Sequence, residues 1–205
     1  MKTIDSLRRK TRTDFIKTMY VISTCIMIME IFVLALDIAA GKPHLNVKNY
    51  LITFIWYPSS YNFAMCIFAT IINNTKISDN KKNYAVIFCM SKICAAIAII
   101  HSVFISTQCA FVGAIIAASL LGNTNLIRFA TIDAIAMLIL SIILAPYFDN
   151  TIGVDQLTKS AIISTFVLIL TGIMADTVVK ARERHELTLR KYIVDLEKNI
   201  KRSQM

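Results

Sequence analysis

The chain has 205 residues, 56% of them hydrophobic and only 17% charged, with a formal net charge of +9 and a mean hydropathy of +0.62. Soluble domains carry about a quarter charged residues, so this composition excludes an ordinary water-soluble enzyme and points to lipid as the solvent. The positive charge does not call for nucleic acid, because the basic residues lie outside the apolar runs and mostly at the two ends, where headgroups and topology place them.

A bilayer core needs about 20 mostly apolar residues per helix. The basic segment 1–14 is followed by a first such run, Phe15 to Leu36, which ends before Asp37 and the turn Gly41-Lys42-Pro43. It is longer than a signal-peptide core and has no small-residue cleavage site, so it is expected to stay as an anchor. A second run, Tyr50 to Ile72, closes in Asn73-Asn74-Thr75-Lys76. The third, Tyr84 to Leu121, is 38 residues long, too long for one span, and is divided here near Ser106-Thr107-Gln108. A fifth span runs from Leu126 to Ala145 and stops at Pro146, which has no N–H to continue a helix. The sixth occupies Leu157 to Val178. The expected fold is all-α: a polytopic membrane protein with about six transmembrane helices over 15–178, then a cytoplasmic coiled-coil-like helix over 179–205.

Charge orients these spans. With the amino terminus inside, eighteen Lys and Arg fall on the inner side and only Lys42, Lys48 and Lys159 on the outer. That asymmetry predicts a cell-membrane protein with both termini cytoplasmic. All five cysteines (Cys25, Cys66, Cys89, Cys94, Cys109) fall inside apolar runs without a Cys-x-x-Cys pair, so packing is their expected role. No metal-binding, cofactor-binding or catalytic pattern occurs, and none of these roles is assigned.

Ionisable groups inside a span are costly and are therefore candidates for function. At about 1.5 Å of rise per residue, Glu30 and His101 reach similar depths in the outer half of the membrane. The second span brings Tyr57, Pro58, Ser60 and Tyr61 to overlapping depths, and Pro58 favours a kink of the kind found beside cavities. Glu30, Tyr57, Ser60, Tyr61 and His101 are thus a candidate outward-facing pocket for a small ligand or for a pH response; plain interhelical hydrogen bonding is the simpler alternative. Lys92 and Asp133 fall at a common depth nearer the inner face, a candidate intramembrane ion pair, with snorkelling of Lys92 as the alternative. Gly113 and Ala117 form a small-xxx-small pair expected to let the third and fourth helices approach.

After Val178 the sequence turns charged but keeps a helical period. Leu189, Ile193, Leu196 and Ile200 are spaced 4, 3 and 4, a coiled-coil seam that predicts a parallel homodimer. An amphipathic helix lying on the inner membrane surface is the alternative. No Gly or Pro interrupts the passage from the sixth span, so one continuous helix can carry a movement out of the bilayer. Arg184-His185-Glu186-Leu187 is similar to the phospho-accepting box of sensor kinases, but Thr188-Leu189-Arg190 departs from its continuation.

With its several spans followed by the linker-like Tyr192-Ile193-Val194-Asp195-Leu196-Glu197-Lys198, the layout resembles the membrane input regions of bacterial GGDEF-type diguanylate cyclases and HD-type phosphodiesterases. The resemblance implies a sensor region whose catalytic domain would follow this segment, possessing no catalytic residue of its own. A membrane-embedded input module that signals through its carboxyl-terminal helix is the expected function, with a link to cyclic-dinucleotide signalling. A small six-helix transporter or substrate-capture subunit is the alternative.

Overall fold

A computed structural model describes residues 2–41, 46–101, 110–121, 124–148 and 154–203. All regular structure among these residues is helical. The first helix, α1 (Lys2–Ala39), is 38 residues long. It stops because Gly41 turns the chain at φ +63, a left-handed position that glycine adopts without a Cβ penalty. The Gly41 N–H then bonds the Ile38 carbonyl at 3.0 Å.

The second rod is composite. A short helix α2 (Val47–Tyr50), capped by the Asn46 side chain, leads into a π-helical segment, Leu51–Trp56, and then α3 (Tyr57–Asn74). Backbone angles at both junctions stay right-handed helical, so the rod is continuous from Val47 to Asn74. Pro58 explains the wider turn. It has no N–H for the carbonyl four residues earlier, and the preceding Tyr57 N–H bonds Ile52 five residues back, the π pattern. The kink expected at Pro58 is therefore absorbed as π-helix just before it.

The remaining rods are α4 (Asp79–Ile100), α5 (Ala110–Leu121), α6 (Thr124–Phe148) and α7 (Val154–Ser203). Four segments are long and apolar enough to cross a membrane: Arg9–Ala39, Asp79–Ile100, Thr124–Ala145 and Thr158–Leu189. The composite rod falls short of that test and α5 is a shorter apolar helix of 12 residues. The division expected near Ser106-Thr107-Gln108 lies outside the described residues.

α4 is the hub. In its most apolar stretch 61% of residues are buried, against 17% for α1 and 22% for α7. It packs against α3, α5 and α6 through Val86, Ile87, Cys89 and Ile93, all nearly inaccessible. By contrast α1 and α7 turn large apolar side chains outward, among them Phe32, Phe166 and Met174. An apolar exterior around a close-packed interior is what a bundle dissolved in lipid requires.

α5 packs against α4 with Ala117 of the expected small pair buried in the core, but the tightest glycine lies elsewhere. A Cβ at Gly113 would meet only Met90 Cε, at 3.8 Å, an ordinary contact. At Gly172 on α7 a Cβ would lie 2.5 Å from Thr131 Oγ1 and 3.0 Å from its Cγ2. Thr131 cannot swing away freely, since its hydroxyl donates to the Ile127 carbonyl at 2.9 Å. Gly172→Ala should therefore lower the unfolding midpoint in detergent, with an overpacking cost of about 1–3 kcal/mol. Adding Thr131→Ala, which leaves only the Thr131 Cβ at 3.3 Å, should restore most of the loss.

Candidate functional site

Polar side chains inside the bundle gather at three levels. At the end where α1 begins, Arg12 is completely buried. Its Nε donates to Asn73 Oδ1 at 2.6 Å, Nη1 to Asn83 Oδ1 at 3.0 Å, and Nη2 to Asp79 Oδ1 at 2.8 Å. A longer contact of 3.4 Å joins Nη1 to the Asp79 carbonyl. Asn73 Nδ2 donates onward to Thr13 Oγ1, and Asn83 Nδ2 to the Leu121 carbonyl. One guanidinium thus ties α1 to the end of α3, the start of α4 and, through Asn83, the end of α5. Only the planar fork of arginine presents donors in so many directions. A positive-inside count places Arg12 with the charges that face the headgroups.

At the opposite level Glu30 is 2% exposed. Its Oε1 lies 2.9 Å from His101 Nε2, and its Oε2 accepts from the Tyr50 hydroxyl at 3.0 Å. α1, α2 and the end of α4 meet there. Beside Glu30 a cavity of about 10 Å³ is lined by Phe54, Pro58, Ser59, Asn62 and His101, among others, room for about one water molecule. Asn62 is buried and its Oδ1 has no hydrogen-bond partner among the described residues.

Tyr57, Ser60 and Tyr61, grouped with Glu30 by depth, belong elsewhere. Tyr57 is 66% and Tyr61 42% exposed, and both line a different cavity, while Ser60 is exposed and enters neither lining. The reason is helical phase. Pro58 and Asn62, four apart, form the face toward Glu30; Tyr57 and Tyr61 sit one residue earlier, about 100° around the axis. Depth arithmetic fixes height but not direction. Ser59 and Tyr50 occupy the places given to Ser60 and Tyr57.

The second cavity, about 410 Å³, opens on the flank between α3, α4 and α6. Thr53, Tyr57 and Tyr61 form one wall, Lys92, Ala95, Ala96, Ile99 and Ile100 the back, and Met137, Leu140 and Leu144 the other wall. Lys92 is turned into the protein. Its Nζ lies 3.9 Å from Asp133 Oδ1, 2.7 Å from Met137 Sδ and 4.3 Å from the centre of the Phe88 ring. Both partners are largely buried, at 17% and 11% side-chain exposure, so the cation faces α6 rather than snorkelling to the headgroups. Asp133 Oδ2 has no hydrogen-bond partner among the described residues.

Of the seam positions, Leu189 and Leu196 are exposed in the single chain, like Leu187, Tyr192 and Val194 between and beside them; the Ile193 and Ile200 side chains lie outside the described residues. Nearer the bundle, Asp176 pairs with Lys180 one turn on. Among the described residues no three His, Cys, Asp or Glu side chains converge to hold a metal ion. No family model, curated protein or solved structure matches the chain.

Proposed function

We propose that this chain is a membrane-embedded input module of six spans, with both termini cytoplasmic, that passes a conformational change to a cytoplasmic output through α7 acting in a parallel homodimer. The observation that supports it is the uninterrupted course of α7 from Val154 to Ser203, 50 residues. At helical rise that is about 75 Å, more than twice the hydrocarbon thickness of a bilayer. Its first half packs against α5 and α6, and every described side chain from Lys180 to Leu189 is exposed. A helix that leaves the bundle bare of contacts, yet carries Leu189 and Leu196 outward, fits a surface completed by a second copy. Rotation, tilt or sliding of the packed half is then delivered undamped to the free half. Cyclic-dinucleotide enzymes are the output class that the resemblance suggests.

A small transporter or substrate-capture subunit is the second reading, favoured by the flank cavity of about 410 Å³. Disulfide crosslinking of single cysteines placed at residues 186–203, in membranes and in a background without native cysteine, separates the two. Crosslinking that peaks at positions 189, 193, 196 and 200 is expected. A flat profile would remove the dimer and with it the signalling reading.

A further inference from the structure

We propose that the flank cavity between α3, α4 and α6 binds a membrane-soluble molecule with an apolar body and an uncharged carbonyl head, the carbonyl accepting a hydrogen bond from Lys92 Nζ. The cavity's size, about 410 Å³, falls in the range of small-molecule sites. Along α4 it runs from Lys92 past Ala95 and Ala96 to Ile100, about 12 Å at helical rise. The two alanines leave space where larger side chains would close the wall. Tyr57 and Tyr61 border it and are substantially exposed on the apolar exterior, so entry is from the lipid side.

Lys92 makes this more than an apolar groove. An ammonium has three protons to give, yet among the described residues it has a thioether, an aromatic face and a carboxylate oxygen at 3.9 Å. That carboxylate contact is beyond hydrogen-bond length. A buried cation so weakly served is stabilised by one more oxygen acceptor delivered through the cavity. Charge then decides the kind of oxygen. Asp133 already offsets Lys92 at close range, and a second anion would face Asp133 across a poorly solvated space. A neutral carbonyl satisfies the ammonium without adding charge, which favours lipid-quinone-like or ester-like heads over fatty carboxylates. The wall opposite includes Thr53 of the π-helical segment, so occupancy bears directly on the one π-helical segment among the described residues.

The test uses the full chain in zwitterionic nanodiscs and a tritiated 1,4-naphthoquinone with a short isoprenoid tail, empty nanodiscs giving the partition background. Saturable binding near one molecule per chain is expected, weakened at least tenfold in Lys92→Met and abolished in Ala96→Trp. Leu144→Trp blocks the cavity from α6, so a failure of either tryptophan variant to fold leaves the test intact; unfolding midpoints in detergent report folding. Unlabelled palmitate should not compete. Binding no greater than in empty discs, or equal in the wild type and both folded tryptophan variants, would overturn the site. Displacement of the quinone by palmitate at lower concentration would overturn the neutral head. None of these results depends on the α7 seam, so this proposal and the dimer stand or fall separately.

Discussion

Arg12→Met is expected to destabilise the folded bundle by about 2–5 kcal/mol, the largest loss from any single substitution at the α1 end. The methionine keeps most of the buried volume, so the effect isolates the hydrogen bonds. Asn73 Oδ1 and Asn83 Oδ1 lose their donors in positions 6% and 8% exposed, and an unsatisfied buried acceptor costs about 1–3 kcal/mol. The Asp79 pair adds less. That carboxylate is 48% exposed, and solvent screens an ion pair of that kind to below about 1 kcal/mol. Arg12→Lys should recover part of the loss, because an ammonium keeps the charge but reaches fewer of the three side-chain acceptors. Asp79→Ala should cost distinctly less than Arg12→Met. Arg9→Met, at an exposed position, should stay within about 0.5 kcal/mol of the wild type. Denaturant titration in micelles, followed by circular dichroism, ranks the four. Equal midpoints for Arg12→Met and Arg9→Met would show that the guanidinium network does not hold the bundle.

The same network marks where sequence reasoning stops. Five apolar runs are visible in hydropathy, the longest divided by length into two spans, and each expected span holds part of one of the helical rods, because chain length between polar stretches is a one-dimensional quantity. Arg12 looked like one more inner-side charge, since a positive-inside count takes every basic residue near a helix end as facing water. The signal available was local: Asn73, Asp79 and Asn83 bracket the turn between the second and third runs, an excess of acceptors for a region expected to be solvated. Gly172 was equally silent, having no small partner four residues away to make a pattern. Its significance comes from Thr131 on another helix.

At the Glu30 level the sequence supplied heights and the fold supplied directions. Glu30 and His101 could be set side by side from helix rise alone, and so could Lys92 and Asp133. Tyr57, Ser60 and Tyr61 could not be assigned a face, because helix rise carries no angle, and on α3 they lie off the face of Pro58 and Asn62 that lines the cavity beside Glu30. The six steps from Tyr50 to Trp56 would turn an ideal α-helix by about 1.7 turns; the π segment turns the chain less per residue, which changes the face that Tyr50 shows relative to α3. The single expected pocket is thus two cavities, a small polar one beside Glu30 and a larger apolar one on the flank, with Pro58 in the lining of both. The polar cavity, at about 10 Å³, has room for about one water molecule.

Glu30→Ala is expected to cost about 2–5 kcal/mol, whereas Glu30→Gln should remain within about 1 kcal/mol of the wild type. Alanine leaves the Tyr50 hydroxyl and the His101 ring nitrogen without their shared acceptor, two buried or half-buried polar groups at about 1–3 kcal/mol each. Glutamine keeps the shape. Its amide oxygen can accept from one partner while its amide nitrogen donates to the other, Tyr50 oxygen or a neutral His101 nitrogen. A double-mutant cycle between Glu30→Ala and His101→Ala isolates the pair from the rest of the junction, with an expected coupling of about 1.5–3 kcal/mol for a hydrogen bond to a charged group. A coupling near zero would mean that the 2.9 Å contact carries no stability and that α1 and α4 are held at this level by apolar packing alone. If the coupling is found but Glu30→Gln is as damaging as Glu30→Ala, the carboxylate charge rather than its geometry holds the junction. In that case the pairing of the charge with His101 outweighs its desolvation, and stability alone accounts for a carboxylate at position 30.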